Sequence, residues 1–311
     1  MSTHPPLRDA LASYLALRRA LGFKLANAGR LLGQFVDYLH GHGVDTPTTD
    51  HALAWATLPA NASTAWRAIR LSVVRGFAAY LHGIDPTVQV PPAGLLRHGP
   101  DRATPYLYSD AQIRALVRAA AGLRPRLRAA TYQTLIGLLA VSGIRIGEAI
   151  ALDTTDLDVD QGLLVVRHTK FAKSRLVPLH ATAVRALTGY LDLRDELQPQ
   201  PASPALLVSA TGARLLHANI GRTFARLARQ AQITPRSAAC RPRIHDLRHS
   251  FAVATVLNWY RTDADVPAML PRLATYLGHT DPKHTFWYLS AAPELMALAG
   301  QRLDAHLAGR A

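Results

Sequence analysis

A mainly α-helical chain in two parts, with one small antiparallel β element, is the fold class this sequence predicts. Three observations carry it. Apolar residues recur at helical spacing over most of the 311 positions, Pro and Gly crowd into a single stretch between residues 85 and 105, and one short region reads as paired strands.

Taken in order, residues from about 5 to 90 read as helices. Leu7 to Gly22 and Ala28 to His40 carry the helical pattern, the second through Leu31, Leu32, Phe35, Val36 and Leu39. Ser63 is placed to cap a helix running to about His82. On that helix Trp66, Ile69, Val73, Phe77 and Tyr80 share one face, while Arg67, Arg70 and Arg75 point elsewhere. Those arginines form either a solvated face or one that meets phosphates. Pro86, Pro91, Pro92, Gly94, Gly99, Pro100 and Pro105, with Arg97, His98 and Arg102 among them, make a stiff basic linker. The division is thus 1–90 helical domain, 91–104 linker and 105–311 second domain. Ser109 and Gln112 have capping-box spacing, and helix follows to about Leu152. Leu163–Arg167 and Arg175–Leu179 read as a hairpin around a turn holding Lys170 and Lys173, with Pro178 marking an edge strand. Helix resumes near Ala181 and dominates thereafter, apart from a short strand expected at Leu206 to Ser209. The segment from about 292 to 309 is amphipathic.

Composition narrows the partners. A formal net charge of +14 and a pI near 10.6 predict a polyanion, with nucleic acid ahead of an anionic membrane surface. Leu135 to Ile144 is too short and too interrupted to span a bilayer, and MSTHPPLRDA lacks a signal-peptide layout. The single cysteine, Cys240, allows no internal disulfide and fits a reducing cytoplasm. Of 35 basic residues only Lys24, Lys170, Lys173 and Lys283 are lysine. In such a chain a lysine is suited to what arginine cannot do, namely give up its proton.

Several fragments carry chemistry. Arg145 lies in SGIRIGE; alone it reads as an arginine that ends an apolar helix and pairs with nearby Glu148. His245 and Arg248, three apart in HDLRH, can converge on one ligand. His245 and His249 have the spacing of metal ligands, but Asp246 follows the first histidine and the cation Arg248 adjoins the second, so no metal is expected. Gly278 ends a short helix, holding His279 in a tight turn, and Tyr288 follows nine residues later.

Together these fragments resemble the tyrosine recombinase (phage integrase) family. Ser142-Gly143-Ile144-Arg145 with Glu148, the hairpin Lys170, His245-Asp246-Leu247-Arg248-His249, Leu277-Gly278-His279 and Tyr288 match its motifs in order and spacing over roughly residues 105 to 300. Ser142 replaces the usual threonine, and Phe171-Ala172 replace a glycine-rich hairpin tip, which leaves Lys173 as a competitor of Lys170. The resemblance implies a helical, SAM-like core-binding domain followed by an α+β catalytic domain. It also implies a mechanism without metal, ATP or other cofactor. Tyr288 attacks a DNA phosphodiester to give a 3′-phosphotyrosyl bond, Arg145, Arg248 and His279 stabilise the phosphate, His245 accepts the phenol proton, and Lys170 protonates the leaving 5′-oxygen. The implied partners are double-stranded DNA, further copies of the chain in a tetramer on two DNA sites, and sister recombinases. The implied role is integration or excision of a mobile element. Arg67, Arg70, Arg75, Lys173 and Arg175 are candidate DNA contacts, and the C-terminal helix is expected to dock on a neighbouring protomer. The rival readings are type IB topoisomerase-like relaxation and a catalytically silent DNA-binding accessory protein.

Overall fold

The computed structural model describes residues 6–96, 104–167, 174–279, 281, 285 and 300. Tyr288, Lys170, Lys173 and, apart from Gly300, the segment expected to form the C-terminal helix lie outside the described residues, as does half of the linker. The chain divides into two compact units, Met1–Arg102 and Ala103–Ala311.

The first unit is built from α1 (Leu7–Ala20), α2 (Ala26–Gly41), α3 (Thr49–Thr57) and α4 (Thr64–His82). The expected apolar stripe of α2, Leu31 to Leu39, is its buried face. It packs with Tyr14, Trp55, Leu71, Val74 and Phe77 from the other helices. Thr48 and His51 cap α3 reciprocally, and Ser63 caps α4 by accepting from the Trp66 amide at 3.2 Å. The inward face of α4 differs from the expected one. Leu71, Val74, Phe77, Ala78 and Leu81 are buried, Trp66, Val73 and Tyr80 only flank the core, and Ile69 is exposed. Arg70 is drawn inside because its guanidinium lies over the Trp55 ring, 3.6 Å from the centroid, and donates to the Trp55 carbonyl at 2.7 Å.

In the second unit, α5 (Asp110–Ala121) opens on the Ser109/Gln112 capping box that the sequence spacing indicates. Then follow α6 (Arg126–Ser142), α7 (Ile146–Ala151), a 3-10 turn (Thr154–Asp156), β1 (Leu157–Asp158), β2 (Leu163–Val166), β3 (Arg175–Pro178), α8 (Ala181–Leu197), α9 (His217–Gln230), α10 (Asp246–Arg261) and α11 (Val266–Leu277). The architecture is mostly helical with a three-stranded antiparallel sheet in the order β1-β2-β3. Leu164 pairs with Val177 and Val166 with Arg175. Leu164, Val166 and Val177 face the core, and Pro178 sits on the edge strand, where its missing N–H costs no ladder bond. The expected strand at Leu206–Ser209 does not join the sheet. Leu206, Leu207 and Val208 are fully buried, and the nearby pairings are the isolated bridges Asp153↔Ala205 and Val208↔Arg214.

Helix α6 is apolar nearly all round, as a core helix must be, and packs against α5, α8 and α10. Its end sets the site. Gly143 adopts φ +60 and terminates α6, so the chain turns sharply into Arg145, the N-cap of α7. A Cβ at Gly143 would overlap the Phe251 ring of α10, so the glycine also lets α10 approach. Among the described residues, no helix is long and apolar enough to cross a membrane.

Candidate active site

Three elements distant in sequence meet at the C-terminal turn of α11. A helix leaves its last carbonyls without intrahelical partners, and here arginines take them. Arg248 enters from the first turn of α10, almost wholly buried at 2% exposure. It donates through Nη1 to the Gly143 carbonyl at 2.7 Å and through Nη2 to the Leu277 carbonyl at 2.7 Å. Arg145 donates through Nη2 to the Gly278 carbonyl at 3.1 Å and reaches the Leu277 carbonyl through Nη1 at 3.5 Å. Gly278, at φ +68, ends α11 and aims His279 back toward Arg248.

The tautomer of His279 follows from its partners. Arg248 Nη2 lies 2.9 Å from His279 Nε2, and a guanidinium can only donate, so Nε2 carries the lone pair. Nδ1 then bears the proton and donates to Thr285 Oγ1 at 2.8 Å, where the threonine is 2% exposed.

Below these groups lies Glu148. Its carboxylate accepts from the Arg145 amide at 2.9 Å, Arg145 Nη1 at 2.9 Å, and Arg175 Nη1 and Nη2 at 3.0 and 2.7 Å. Burial opposes its ionisation, but the Arg175 hydrogen bond, the Arg145 amide and the two positive charges win, holding its pKa at about 2. Three guanidiniums against one carboxylate leave the cluster net positive, a ready seat for an anion.

His245 is the N-cap residue of α10. Its ring reaches the surface and packs edge-on against His249, with centroids 5.3 Å apart. Partial desolvation and then the Arg248 charge lower its pKa below the ordinary imidazole value; Asp246 opposes them, and Arg145 and Arg243 add smaller effects in the lowering direction. The shift favours the neutral ring, the form able to accept a proton. Fully buried Asp246 is engaged by Arg243, whose Nε and Nη2 donate at 3.0 and 2.9 Å.

Arg248 and His279 are thus in direct contact, and Arg145 joins them through the carbonyls of Leu277 and Gly278, with His245 close enough to feel both arginines. The remaining charge candidates are placed differently. Arg67 donates to the carbonyls of Pro59 and Ala60 at 3.0 and 2.7 Å, and half-buried Arg75 donates to Ser72 Oγ at 3.2 Å. Buried Arg70 and largely buried Arg175, both candidate DNA contacts, are committed inside the protein, each held by an acceptor distant in sequence. Cys240 is buried, with Sγ 3.6 Å from the Pro105 carbonyl. Among the described residues, no cluster of three or more His, Cys, Asp or Glu side chains is arranged to hold a metal ion.

Sequence reasoning also passed over α9. Ile220, Thr223, Phe224, Leu227 and Ala228 bury one side, leaving Arg222, Arg226 and Arg229 exposed on the other with no acidic residue in the helix. The alternation of FxxLA with Arg at i, i+4 and i+7 was the available signal.

Fold and site together define a tyrosine-type site-specific recombinase. The phage integrase family model matches residues 107–294, and the chain belongs to that family. It is 45% identical over 303 residues to y4rB of Sinorhizobium fredii (strain NBRC 101917 / NGR234), named as an integrase/recombinase, with 96% of each chain covered. It is 31% identical over 308 residues to the tyrosine recombinase XerD of Pseudomonas aeruginosa, covering 92% of this chain and 93% of that one. Among solved structures, the Tn1549 transposon integrase in complex with transposon right end DNA shares the fold at a TM-score of 0.63 and 16% identity, covering 95% of this chain and 99% of that one.

Proposed function

We propose that this chain cuts and rejoins double-stranded DNA to integrate or excise a mobile element, working as a tetramer on two DNA sites in the bacterial cytoplasm, associated with the nucleoid. The observation that carries the reading is the meeting of Arg145, Arg248 and His279 on the last turn of α11, around a net positive cluster. Both guanidiniums already donate to backbone carbonyls here, so in this scheme they turn N–H groups from those carbonyls to the non-bridging oxygens of a phosphodiester as charge grows there in the transition state. Arg248 occupies Nε2 of His279 here, so in this scheme His279 meets a phosphate oxygen only once that bond is released.

In this scheme the Tyr288 oxygen attacks phosphorus while its proton passes to neutral His245. The phosphorus–O5′ bond breaks, and Lys170 protonates the departing oxygen, with Lys173 as the alternative acid. A 3′-phosphotyrosyl bond remains, and the 5′-hydroxyl of another strand reverses the steps, so no energy source is consumed. The N-terminal unit, read as residues 1–90, would act as the core-binding domain, joined by the 91–104 linker to the catalytic domain. The C-terminal helix read at about 292–309 would dock on a neighbouring protomer. The exposed arginines of α9 would supply a DNA-facing surface on the same unit as the catalytic groups. Relatives and neighbours named as integrases and recombinases, together with the +14 charge, support this reading.

The test is a nicked duplex built from the inverted repeats flanking the gene, whose nick lets the cleaved fragment diffuse away and traps the covalent step. The wild-type chain is expected to give a protein–DNA adduct on a denaturing gel, insensitive to EDTA. A chain that binds this DNA without ever forming an adduct would overturn the reading. Rejoining to a second duplex separates recombination from one-site relaxation.

A further inference from the structure

Arg175 is the first residue of β3. Its side chain is only 12% exposed, and all its described bonds run inward. Nη1 and Nη2 fork onto the two Glu148 oxygens, and Nε donates to the Tyr276 carbonyl at 2.8 Å. Both acceptors belong to the machinery above. Glu148 holds the Arg145 amide and guanidinium, and Tyr276 immediately precedes Leu277, the carbonyl shared by Arg248 and Arg145.

Gly278 supplies the seat. A Cβ there would stand 2.8 Å from Arg175 Nη1, 3.1 Å from Cζ and 3.3 Å from Nε. The glycine of the LGH segment therefore does two things: it supplies the left-handed cap that turns His279 inward, and it leaves the floor flat for a guanidinium. Phe251, stacked on Tyr276 at 5.7 Å between centroids, closes the arrangement from the α10 side.

We propose that Arg175 is a positioning residue for phosphoryl transfer, presenting Arg145 through Glu148 and pinning the α11 turn that carries His279 to the same base. The proposal rests on the reading of Arg145 and Arg248 as phosphate ligands. Its geometry explains the residue type, because a fork onto two carboxylate oxygens with a third N–H left for a carbonyl is open to arginine and closed to lysine. The position on β3 adds a consequence: the strand that begins five residues after Lys170 in the sequence is fastened to the phosphate-binding arginines by one side chain.

The test compares Arg175→Lys and Arg175→Ala with the wild-type chain and with Arg145→Ala, on the nicked inverted-repeat duplex described above. Two versions are used, one with a normal scissile phosphate and one with a methylphosphonate, in which an uncharged methyl group replaces a non-bridging oxygen. On the phosphate substrate both Arg175 variants should form adduct about ten- to a hundredfold more slowly, the cost of a phosphate ligand misplaced by up to about 1 Å. DNA affinity should stay within about threefold, since Arg175 itself touches no DNA in this scheme. On the methylphosphonate the penalty should shrink to less than about threefold for Arg175 and Arg145 variants alike, because the charge that Arg145 must meet is gone. Equal penalties on both linkages would overturn the proposal and leave Arg175 a scaffold residue, as would wild-type rates in Arg175→Lys. If Arg175→Ala does not fold, Arg175→Lys carries the comparison alone. Failure of the wild-type chain to form any adduct would instead overturn the recombinase reading itself, and this proposal with it.

Discussion

Replacing Glu148 by Gln removes the charge on which Arg145 and Arg175 converge. The carboxylate is 9% exposed and accepts four hydrogen bonds from these residues, two of them at each oxygen. Glutamine offers one oxygen and turns an NH2 group against N–H donors, so two donors lose their acceptor in a buried setting. The size of the loss can be worked from the ionisation of the group. Its pKa falls from 4.5 to about 2 on folding, and at about 1.4 kcal/mol per pKa unit the charged form is favoured by on the order of 3 kcal/mol. The cost usual for breaking a buried ion pair, about 3–5 kcal/mol, agrees. With a urea slope of about 2–3 kcal/mol/M, the unfolding midpoint of the full-length Glu148→Gln chain should drop by about 1–1.5 M at pH 7. The sign of the pH dependence is fixed too. A carboxylate depressed on folding stabilises above its ordinary pKa of 4.5, and that stabilisation is lost as pH falls toward 2. The gap between wild type and variant, followed by circular dichroism in urea, should therefore be constant from pH 8 to 5 and be roughly halved near pH 3. A gap below about 0.5 kcal/mol at pH 7, or one unchanged between pH 5 and pH 3, would refute the reasoning.

Other perturbations bear on neighbouring parts. Gly143→Ala puts a Cβ into the Phe251 ring at a φ of +60 and should cost about 1–3 kcal/mol, read as a lower Tm, whereas Gly137→Ala, with open space around it inside α6, should leave Tm unchanged or slightly raised. With neutral His245 proposed as the proton acceptor and its pKa lowered, single-turnover adduct formation should rise with pH through a midpoint below 6.5 and then level off; a rate that falls as pH increases from 5.5 to 8 would contradict the assignment. Arg226→Ala on the exposed face of α9 should reduce the salt dependence of DNA binding by roughly one unit of slope, as measured by titration at several salt concentrations. Arg70→Ala should lower thermal stability without changing that slope, since its guanidinium lies buried on Trp55.

Local signals in the sequence were sound where the physics is local. The Ser109/Gln112 box, the Ser63 cap and the left-handed Gly278 cap each depend on neighbours within four residues, and each is present. The convergence of Arg145, Arg248 and His279 was legible only through the order of the motifs, because the carbonyls that collect them belong to residues 277 and 278. Partners far away in sequence were not legible. Arg70 and Arg175 looked like phosphate contacts because periodicity and charge say nothing of Trp55, fifteen residues off, or Glu148, twenty-seven off. The α4 stripe was misjudged for a related reason: Trp66, Val73 and Tyr80 line the margin of the core, and the buried centre runs through Leu71, Val74 and Ala78. Leu206–Val208 has the apolar run of a buried strand, and burial is all that the run specified.

Peptide mapping of the adduct formed on the nicked inverted-repeat duplex tests the central claim most directly. The account predicts a nucleotide-bearing peptide containing Tyr288, joined through a 3′-phosphate, and a Tyr288→Phe chain that binds the same DNA but yields no adduct. Attachment at any of the other nine tyrosines, or cleavage by Tyr288→Phe, would contradict it.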